Sequence, residues 1–287
     1  MNEPTYEELQ REELTYEQVQ RVKYELWSTT VDARFEEAST QQRIVAEGDS
    51  WFDYPVGLDI LDHLKRDYRY DIFKVAEAGD TLENMVYGTE FGSNFSRRMP
   101  PIETTLSAIE RYQPKVLLFS GGGNDIAGSE LASYLNHKSS TLPVLREDYV
   151  QYVFSTVAKR TYKDLIKFVT EAKSDIHIIS HGYGYATPDG RSVRIVGVRF
   201  AGPWLRPTLV RKNIIEAQEG RDLMRSLIDR FNGMLQELEN EIDNFHYIDL
   251  RPHISDGDWT NELHLYNQSY RRVAERFHEK IQQFVGG

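Results

Sequence analysis

A serine in a short turn is the first residue of this sequence whose type and setting could support covalent chemistry. Ser50 follows Gly48 and Asp49, directly after the apolar run Arg43–Ala46. A serine that ends a strand can present its hydroxyl on a tight turn, and its own N–H, close to a helix N-terminus, can stabilise an oxyanion. The same three residues are common in ordinary turns, and there is no convincing Gly-x-Ser-x-Gly elbow. Ser50 is therefore a candidate nucleophile that depends on partners elsewhere in the chain.

Two further clusters could supply hydrogen-bond donors for such an oxyanion. The N–H of Gly79 is a candidate because a glycine permits close backbone approach, and the side-chain amide of Asn124 is another. Both have simpler interpretations, namely a helix N-cap turn at Asp80 or Thr81 and a glycine-rich turn in which Asn124 caps the next helix. Gly121–Gly123 do not form a phosphate-binding loop, because no Gly-Lys-Ser/Thr sequence follows them.

A histidine near the C-terminus could act as the base. His264 comes shortly before the last predicted helix, where it could accept the proton of Ser50 and later return it to the leaving group. It is one of eight histidines, so a surface role is the alternative.

Five short apolar segments alternate with helical ones, which predicts an α/β fold with a five-stranded parallel sheet covered on both faces. The predicted strands are Arg43–Ala46, Tyr70–Ala76, Lys115–Ser120, Ile176–Ser180 and Phe245–Leu250. Helical spacing of apolar residues predicts helices over 57–68, from Thr81, over 101–112, 148–172 and 214–243, and at the C-terminus. Ligands bind beyond the carboxyl ends of such strands, so the polar clusters should meet at one edge of the sheet.

Residues 183–213 interrupt this alternation with several glycines and prolines and with Trp204. The segment is too long for an ordinary connection, so we expect a structural flap or a lid that shapes the substrate site. His181 and Tyr183 follow the fourth strand and are predicted to contact substrate near the mouth of the site.

Composition narrows the class of protein. The 287 residues carry a formal net charge of −11 and no cysteine, which excludes a disulfide framework, a thiolate metal site and a cysteine nucleophile. Acidity argues against nucleic-acid binding, which needs Lys/Arg patches. No apolar run is long enough to span a membrane, and no signal peptide is recognisable, so we expect a cytoplasmic protein.

Residues 1–40 are predicted to form an acidic helical arm, separate from a domain over 41–287. They hold ten acidic and four basic residues, more than half of the total net charge. The apolar residues Tyr16, Val19 and Val22 recur at near-helical spacing. The arm either packs against the domain by one stripe or forms a contact with a partner or a second copy.

The four clusters together, in this order, resemble the SGNH (GDSL-like) hydrolase superfamily over roughly residues 43–285. The run EGDSWFDYP, from Glu47 to Pro55, resembles a bacterial subgroup of that superfamily. The resemblance implies a flavodoxin-like three-layer α/β/α sandwich with Ser50 as nucleophile and His264 as base. It implies an oxyanion hole formed by Ser50, Gly79 and Asn124.

Members of this superfamily hydrolyse esters and thioesters of acyl chains, or remove acetyl groups from sugars, without a metal or organic cofactor. The implied function is a serine esterase acting on a small-molecule ester or thioester. A carbohydrate acetylesterase and a non-catalytic binding protein that retains the pocket are the alternatives.

One position departs from the pattern of the superfamily, which usually has an aspartate three residues before the histidine. Here Asn261 stands at that position, and Leu265 replaces the usual proline after the histidine. An amide oxygen can fix the imidazole tautomer but lacks the charge. Asn261, Asp258 or a backbone carbonyl could therefore orient His264. His253 with Asp256 and Asp258 matches no strong metal motif, and no metal site is expected.

Overall fold

Strands and helices alternate along the chain in the predicted order. A computed structural model describes residues 16–32, 43–195 and 198–285. The strands are β1 (Ile44–Gly48), β2 (Ile72–Lys74), β3 (Val116–Ser120), β4 (His177–His181), β5 (Val193–Ile195), β6 (Val198–Ala201) and β7 (Phe245–Ile248). The helices are α1 (Tyr16–Asp32), α2 (Ile60–Tyr68), α3 (Leu82–Tyr87), α4 (Pro101–Tyr112), α5 (Leu131–Tyr134), α6 (Glu147–Tyr152), α7 (Lys159–Ala172), α8 (Arg206–Arg211), α9 (Ala217–Glu241) and α10 (Asn267–Val285). A π-helical segment, Val153–Ala158, joins α6 to α7, and 3-10 turns lie at Arg251–His253 and Asp256–Asp258.

The main sheet has the order β2-β1-β3-β4-β7, and every neighbouring pair is parallel. All five residues of β1 and of β3 are buried, as expected for continuous apolar strands covered on both faces. On one side α2 packs against α10, and on the other α7 packs against α3, α4 and α9. The predicted five-stranded parallel sheet in a three-layer α/β/α fold is confirmed.

The register of the sheet brings the predicted functional loops to one edge. Gly48 at the end of β1 pairs with Ser120 at the end of β3, so the loops that follow these two strands start side by side. Each strand of the parallel sheet ends at this same edge. The Ser50 turn, the Gly79 loop, the Asn124 loop and the long connection after β7 therefore converge there.

Residues 183–213 form neither a simple connection nor an extended helix. They contain the antiparallel pair β5–β6 and the short helix α8. Tyr183, Val193, Leu205 and Leu209 of this segment are buried. We refer below to residues 191–203 as the flap loop.

The described part of the predicted arm is helix α1, which packs against α2. Val19 is buried, and Lys23 forms ion pairs with Asp59 and Asp62 at the start of α2. The predicted arm residues 1–15 and 33–40 lie outside the described residues. None of the helices in the described ranges combines the length and apolar character needed to cross a bilayer.

Candidate active site

The hydroxyl of Ser50 lies within hydrogen-bond distance of the ring of His264, with Oγ 2.8 Å from Nε2. Ser50 lies in the turn after β1, and His264 lies just before α10, 214 residues later. The parallel sheet brings these two loops together, because β1 and β7 both end at the same edge. The pair has the geometry required of a nucleophile and its base.

The other ring nitrogen of His264 is held by Asn261. Nδ1 lies 3.0 Å from the side-chain oxygen Oδ1 of Asn261, and this oxygen also accepts the backbone N–H groups of Leu263 and His264, each at 3.0 Å. The amide nitrogen of Asn261 donates to the hydroxyl of Tyr54 at 3.2 Å. Because the carboxamide oxygen carries no proton, Nδ1 must be the protonated nitrogen. The lone pair of Nε2 therefore faces Ser50.

Burial keeps the His264 ring neutral. The side chain is almost fully enclosed, and burial lowers the pKa of His264 to about 3. Asn261 supplies no negative charge that would favour the protonated ring. The imidazole is therefore available as a proton acceptor over a wide range of pH.

Two aromatic rings fix the orientation of His264. Tyr54 stacks on it, with ring centroids 4.3 Å apart and the planes inclined by 15°. Trp204 approaches it edge-on, at a centroid distance of 5.5 Å. Tyr54 belongs to the segment that follows the serine turn, whereas Trp204 directly follows the flap loop. The imidazole of His264 is thus positioned by three separate segments of the chain.

The loops that carry Gly79 and Asn124 interlock. The amide nitrogen of Asn124 donates to the backbone carbonyl of Asp80 at 2.8 Å, and the backbone N–H of Leu82 donates to Asp125 at 2.9 Å. Gly79 has a φ of +94°, and a Cβ built on it would meet no atom within 4 Å. The space beside Gly79 Cα is therefore open. The positive φ of Gly79 is one that glycine adopts without strain.

Asp53 links the serine turn to the Gly79 loop. One carboxylate oxygen of Asp53 accepts the backbone N–H of Ala78 at 3.2 Å, and the other pairs with Lys74. The N-cap interpretation also describes part of this loop, because the hydroxyl of Thr81 accepts the N–H of Asn84 at the start of α3. A helix-capping turn and a glycine with open space beside it thus occur together in the same loop.

The predicted substrate-contacting pair, His181 and Tyr183, belongs to a buried network behind the serine turn. His181 is fully buried, with Nε2 2.9 Å from the hydroxyl of Ser120 and Nδ1 3.0 Å from the carbonyl of Gly182. Ser120 donates to Asp49 at 2.8 Å, and Tyr183 donates to the second oxygen of Asp49. The ring of His181 therefore braces the turn from below, whereas Tyr183 also lines the cavity described next.

An apolar cavity opens beside the serine. Ser50 and Asn124 lie on its polar side, and its other walls include Ile126, Ala127, Leu205, Met224 and Ile228. The cavity volume is about 50 Å³. The segment over 183–213 contributes Tyr183, Gly184, Ala186 and Leu205 to its lining.

Asp258 is placed away from the His264 ring. Its carboxylate accepts from the backbone N–H and hydroxyl of Ser255 and from the hydroxyl of Ser269, and it pairs with Arg272. This arrangement ties the 3-10 turn to the start of α10. Of the orienting groups considered for His264, the structure brings the Asn261 oxygen to Nδ1. Within the described ranges no group of three or more His, Asp or Glu side chains could hold a metal ion.

Two residues of the site were missed by sequence reasoning. Glu262 is fully buried one position after Asn261, and Trp204 was noted only as part of a loop. A single glutamate in a polar loop gives no signal of burial, since its partners are backbone N–H groups far away in sequence.

The chain matches no protein-family model and no curated protein at a significant level. Among solved structures it is similar to the periplasmic domain of a lipopolysaccharide acetyltransferase from Salmonella ser. Paratyphi A, with a TM-score of 0.51 and 14% identity over 91% of this chain and 95% of that one.

Two further structures are similar over most of their length. One is the lipase Lip_vut3 from a goat rumen metagenome, with a TM-score of 0.51 and 13% identity over 83% of this chain and 97% of that one. The other is a carbohydrate acetylesterase family member from Sinorhizobium meliloti, with a TM-score of 0.50 and 11% identity over 86% of this chain and 100% of that one. At these identities the likeness establishes the fold, so the chain has the α/β/α fold that its resemblance to the SGNH hydrolases predicted.

Proposed function

We propose that this protein is a serine hydrolase that cleaves carboxylic esters through an acyl-enzyme on Ser50. The observation that carries the proposal is the 2.8 Å approach of Ser50 Oγ to the unprotonated Nε2 of His264, whose Nδ1 is held by Asn261. Ser50 lies 214 residues before His264, whose loop also carries Asn261, and the two parts of the chain meet at one edge of the sheet.

In the first step Ser50 Oγ attacks the ester carbonyl carbon while its proton passes to Nε2 of His264. The C–O bond to the alcohol then breaks, and the protonated imidazole gives that proton to the leaving oxygen, so that an alcohol departs and an acyl group remains on Ser50. In the second step water attacks the acyl carbon and gives a proton to Nε2 of His264. The bond between the acyl carbon and Ser50 Oγ then breaks, His264 returns the proton to Oγ, and a carboxylic acid leaves.

The negative charge that develops on the carbonyl oxygen needs preorganised donors. The backbone N–H groups of Ser50 and Gly79 form no hydrogen bond with any described residue. Asn124 uses one amide hydrogen on the Asp80 carbonyl, which fixes the side chain beside the cavity. These three donors are the proposed oxyanion hole.

The size and apolarity of the cavity favour a short acyl group. A cavity volume of about 50 Å³ suits an acetyl or similarly small group, and the apolar side chains opposite Ser50 suit its methyl end. A carbohydrate acetylesterase is therefore the second candidate, and one of the similar structures is a carbohydrate acetylesterase family member.

The direct test is turnover of p-nitrophenyl acetate by the purified protein. We expect Ser50→Ala and His264→Ala to lower kcat by about 10⁴-fold or more, because nucleophile and base act as one unit. Ser129→Ala, at an exposed serine outside the site, is the matched control and should turn over like the wild type. Folded wild-type protein without turnover would favour the non-catalytic binding protein instead.

A further inference from the structure

The carboxylate of Glu262 is fully buried and bonded to four backbone N–H groups. Oε1 accepts from Gly190 and from Arg206, each at 2.9 Å. Oε2 accepts from Trp204 at 2.5 Å and from Leu205 at 2.7 Å. A buried charge is unfavourable unless hydrogen bonds replace its hydration, and four N–H donors fulfil that condition.

The four donors lie at the two ends of the flap loop. Gly190 directly precedes residues 191–203, and Trp204 directly follows them. A single carboxylate therefore closes the base of the loop that carries β5 and β6. The guanidinium of Arg191 adds a second tie, since it donates to the carbonyl of Trp259.

Glu262 itself belongs to the loop that carries the proposed base. Asn261 precedes it, and His264 follows two positions later. The carboxylate therefore joins the flap loop to the loop that carries His264. Trp204, bonded to Glu262 through its backbone, places its ring against His264 at 5.5 Å. Leu205, bonded in the same way, forms part of the cavity wall beside Ser50.

We propose that Glu262 is a positioning residue that sets the length of acyl chain admitted to the site. It holds Leu205 and Trp204 in place, and Leu205 then closes the cavity on the acyl side. Without the carboxylate, the base of the flap loop opens, the Leu205 wall retreats, and longer acyl chains enter. This inference rests on the proposed esterase function, and its test has one readout that does not depend on catalysis.

Glu262→Gln is the informative substitution because it preserves shape. An amide has one acceptor oxygen, and its NH₂ group would face two of the four N–H donors instead of accepting from them. The exposed Glu216→Gln is the matched control, since it makes the same chemical change outside the flap loop. Leu205→Ala opens the same wall with the carboxylate still in place. If the Glu262 variant does not fold, Leu205→Ala still tests whether this wall limits the length of the acyl chain.

Hydrogen–deuterium exchange tests the tie directly. In Glu262→Gln the amides of Trp204, Leu205 and Arg206 should exchange roughly tenfold faster or more, whereas those of β3 should stay protected as in the wild type. Unchanged exchange at the three amides would overturn the proposal. This readout is decisive even if the wild-type protein hydrolyses no ester, a result that would instead refute the proposed function.

Selectivity is tested with p-nitrophenyl acetate and p-nitrophenyl octanoate. The wild type should prefer acetate, and Glu262→Gln and Leu205→Ala should each lower the acetate-to-octanoate ratio of kcat/KM by about tenfold. The Glu216→Gln control should keep the wild-type ratio. Faster exchange with an unchanged ratio would show that Glu262 only holds the loop, and the proposed role in chain-length selection would be wrong.

Discussion

The imidazole of His264 and the carboxamide of Asn261 form a fixed pair, with Nδ1 3.0 Å from Oδ1. The orientation of the amide is set from both ends, because Oδ1 accepts two backbone N–H groups and the nitrogen donates to Tyr54. In serine proteases, replacing the aspartate of the triad with asparagine leaves the histidine in the wrong tautomer and costs about 10⁴ in kcat. Here the surrounding bonds hold the tautomer that a base requires, so what Asn261 lacks is the charge.

The first prediction concerns that missing charge. Asn261→Asp places a carboxylate beside Nδ1, which stabilises the protonated ring and raises the pKa of His264 from its value of about 3. A base with a higher pKa loses activity at a higher pH. The pH at which kcat/KM falls by half on the acid side should therefore move upward by about one unit or more in the variant.

The measurement is the pH dependence of p-nitrophenyl acetate hydrolysis, confined to the range where both proteins stay folded. Asn94→Asp, in an exposed loop, adds the same charge away from the site and should leave the acid limb unchanged. An acid limb that is identical in Asn261→Asp and in the wild type would show that Asn261 does not control the protonation of His264.

The second prediction separates the two roles of Tyr54, the stack on His264 and the hydroxyl that accepts from Asn261. Tyr54→Phe preserves the stack and should lower kcat by no more than about threefold. Tyr54→Ala removes the support of the ring and should lower kcat by about 10- to 100-fold with a smaller effect on KM. Steady-state kinetics on the two variants would contradict this account if Phe were as damaging as Ala.

The third prediction concerns a buried acid beneath the serine turn. Glu47 accepts from the N–H of Gly48 and the hydroxyl of Thr105, and burial raises its pKa from 4.5 to about 8. The native state thus binds a proton that the unfolded chain releases above pH 4.5, so stability declines as pH rises from about 4.5 to about 8. Removing the ionisable group should remove that decline.

Glu47→Gln should therefore raise Tm at pH 8, by roughly 2–4 °C for each kcal/mol gained, and leave it nearly unchanged at pH 4.5. The amide can accept from Gly48 and donate to Thr105, so no bond need be lost. Calorimetry at the two pH values is the measurement, with the exposed Glu110→Gln as control. A variant that is less stable at pH 8 would show that the carboxylate is ionised and favourable there.

The fourth prediction concerns the contact between α1 and the domain. Lys23 lies 3.0 Å from Asp59 and 2.5 Å from Asp62, and the side chain of Asp59 is almost fully buried. Lys23→Met should lower the free energy of unfolding by about 2 kcal/mol, because it leaves a buried carboxylate without its cation. Although burial acts in the opposite direction, Lys23 holds the pKa of Asp62 below its ordinary value, so Asp62 stays ionised and the loss should persist from pH 7 to pH 5.

Arg21→Met is the matched control on the same helix. Its ion pair with Glu25 is exposed on both sides, so the change should cost about 0.5 kcal/mol or less. Denaturant unfolding at pH 7 and pH 5 distinguishes the two variants. Equal effects for Lys23→Met and Arg21→Met would mean that α1 does not depend on this contact.

Much of the fold was predictable because it follows from local patterns. Four of the five apolar runs became largely buried strands, as in Val116–Ser120, whereas in β2 only Ile72 is buried. The amphipathic runs became helices, as in Ala217–Glu241. The convergence of Ser50, Asn124 and His264 followed from the parallel arrangement alone, since every strand of such a sheet ends at one edge. The roles of these side chains stay predictions that the experiments above address.

What could not be predicted depends on contacts between residues far apart in sequence. His181 is buried because it ends β4, an inner strand of the sheet, and its ring contacts Ser120 on the neighbouring β3. No sequence pattern around His181 indicates this contact. The choice between Asn261 and Asp258 depends on how the loop before α10 curls. That curl is stabilised by the N–H of Thr260 donating to the carbonyl of His264 at 2.9 Å. The role of Glu262 depends on four backbone groups that lie 56 to 72 residues away.

The central claim, that Ser50 is a nucleophile activated by His264, is tested most directly by covalent labelling. The folded protein is treated with a short-chain alkyl fluorophosphonate, and the modified residue is located by peptide mass spectrometry. We expect a single adduct on Ser50. The adduct should be absent in Ser50→Ala, should form much more slowly in His264→Ala, and should form at the wild-type rate in Ser129→Ala. A correctly folded wild-type protein that is not labelled at Ser50, or that is labelled equally fast without His264, would contradict it.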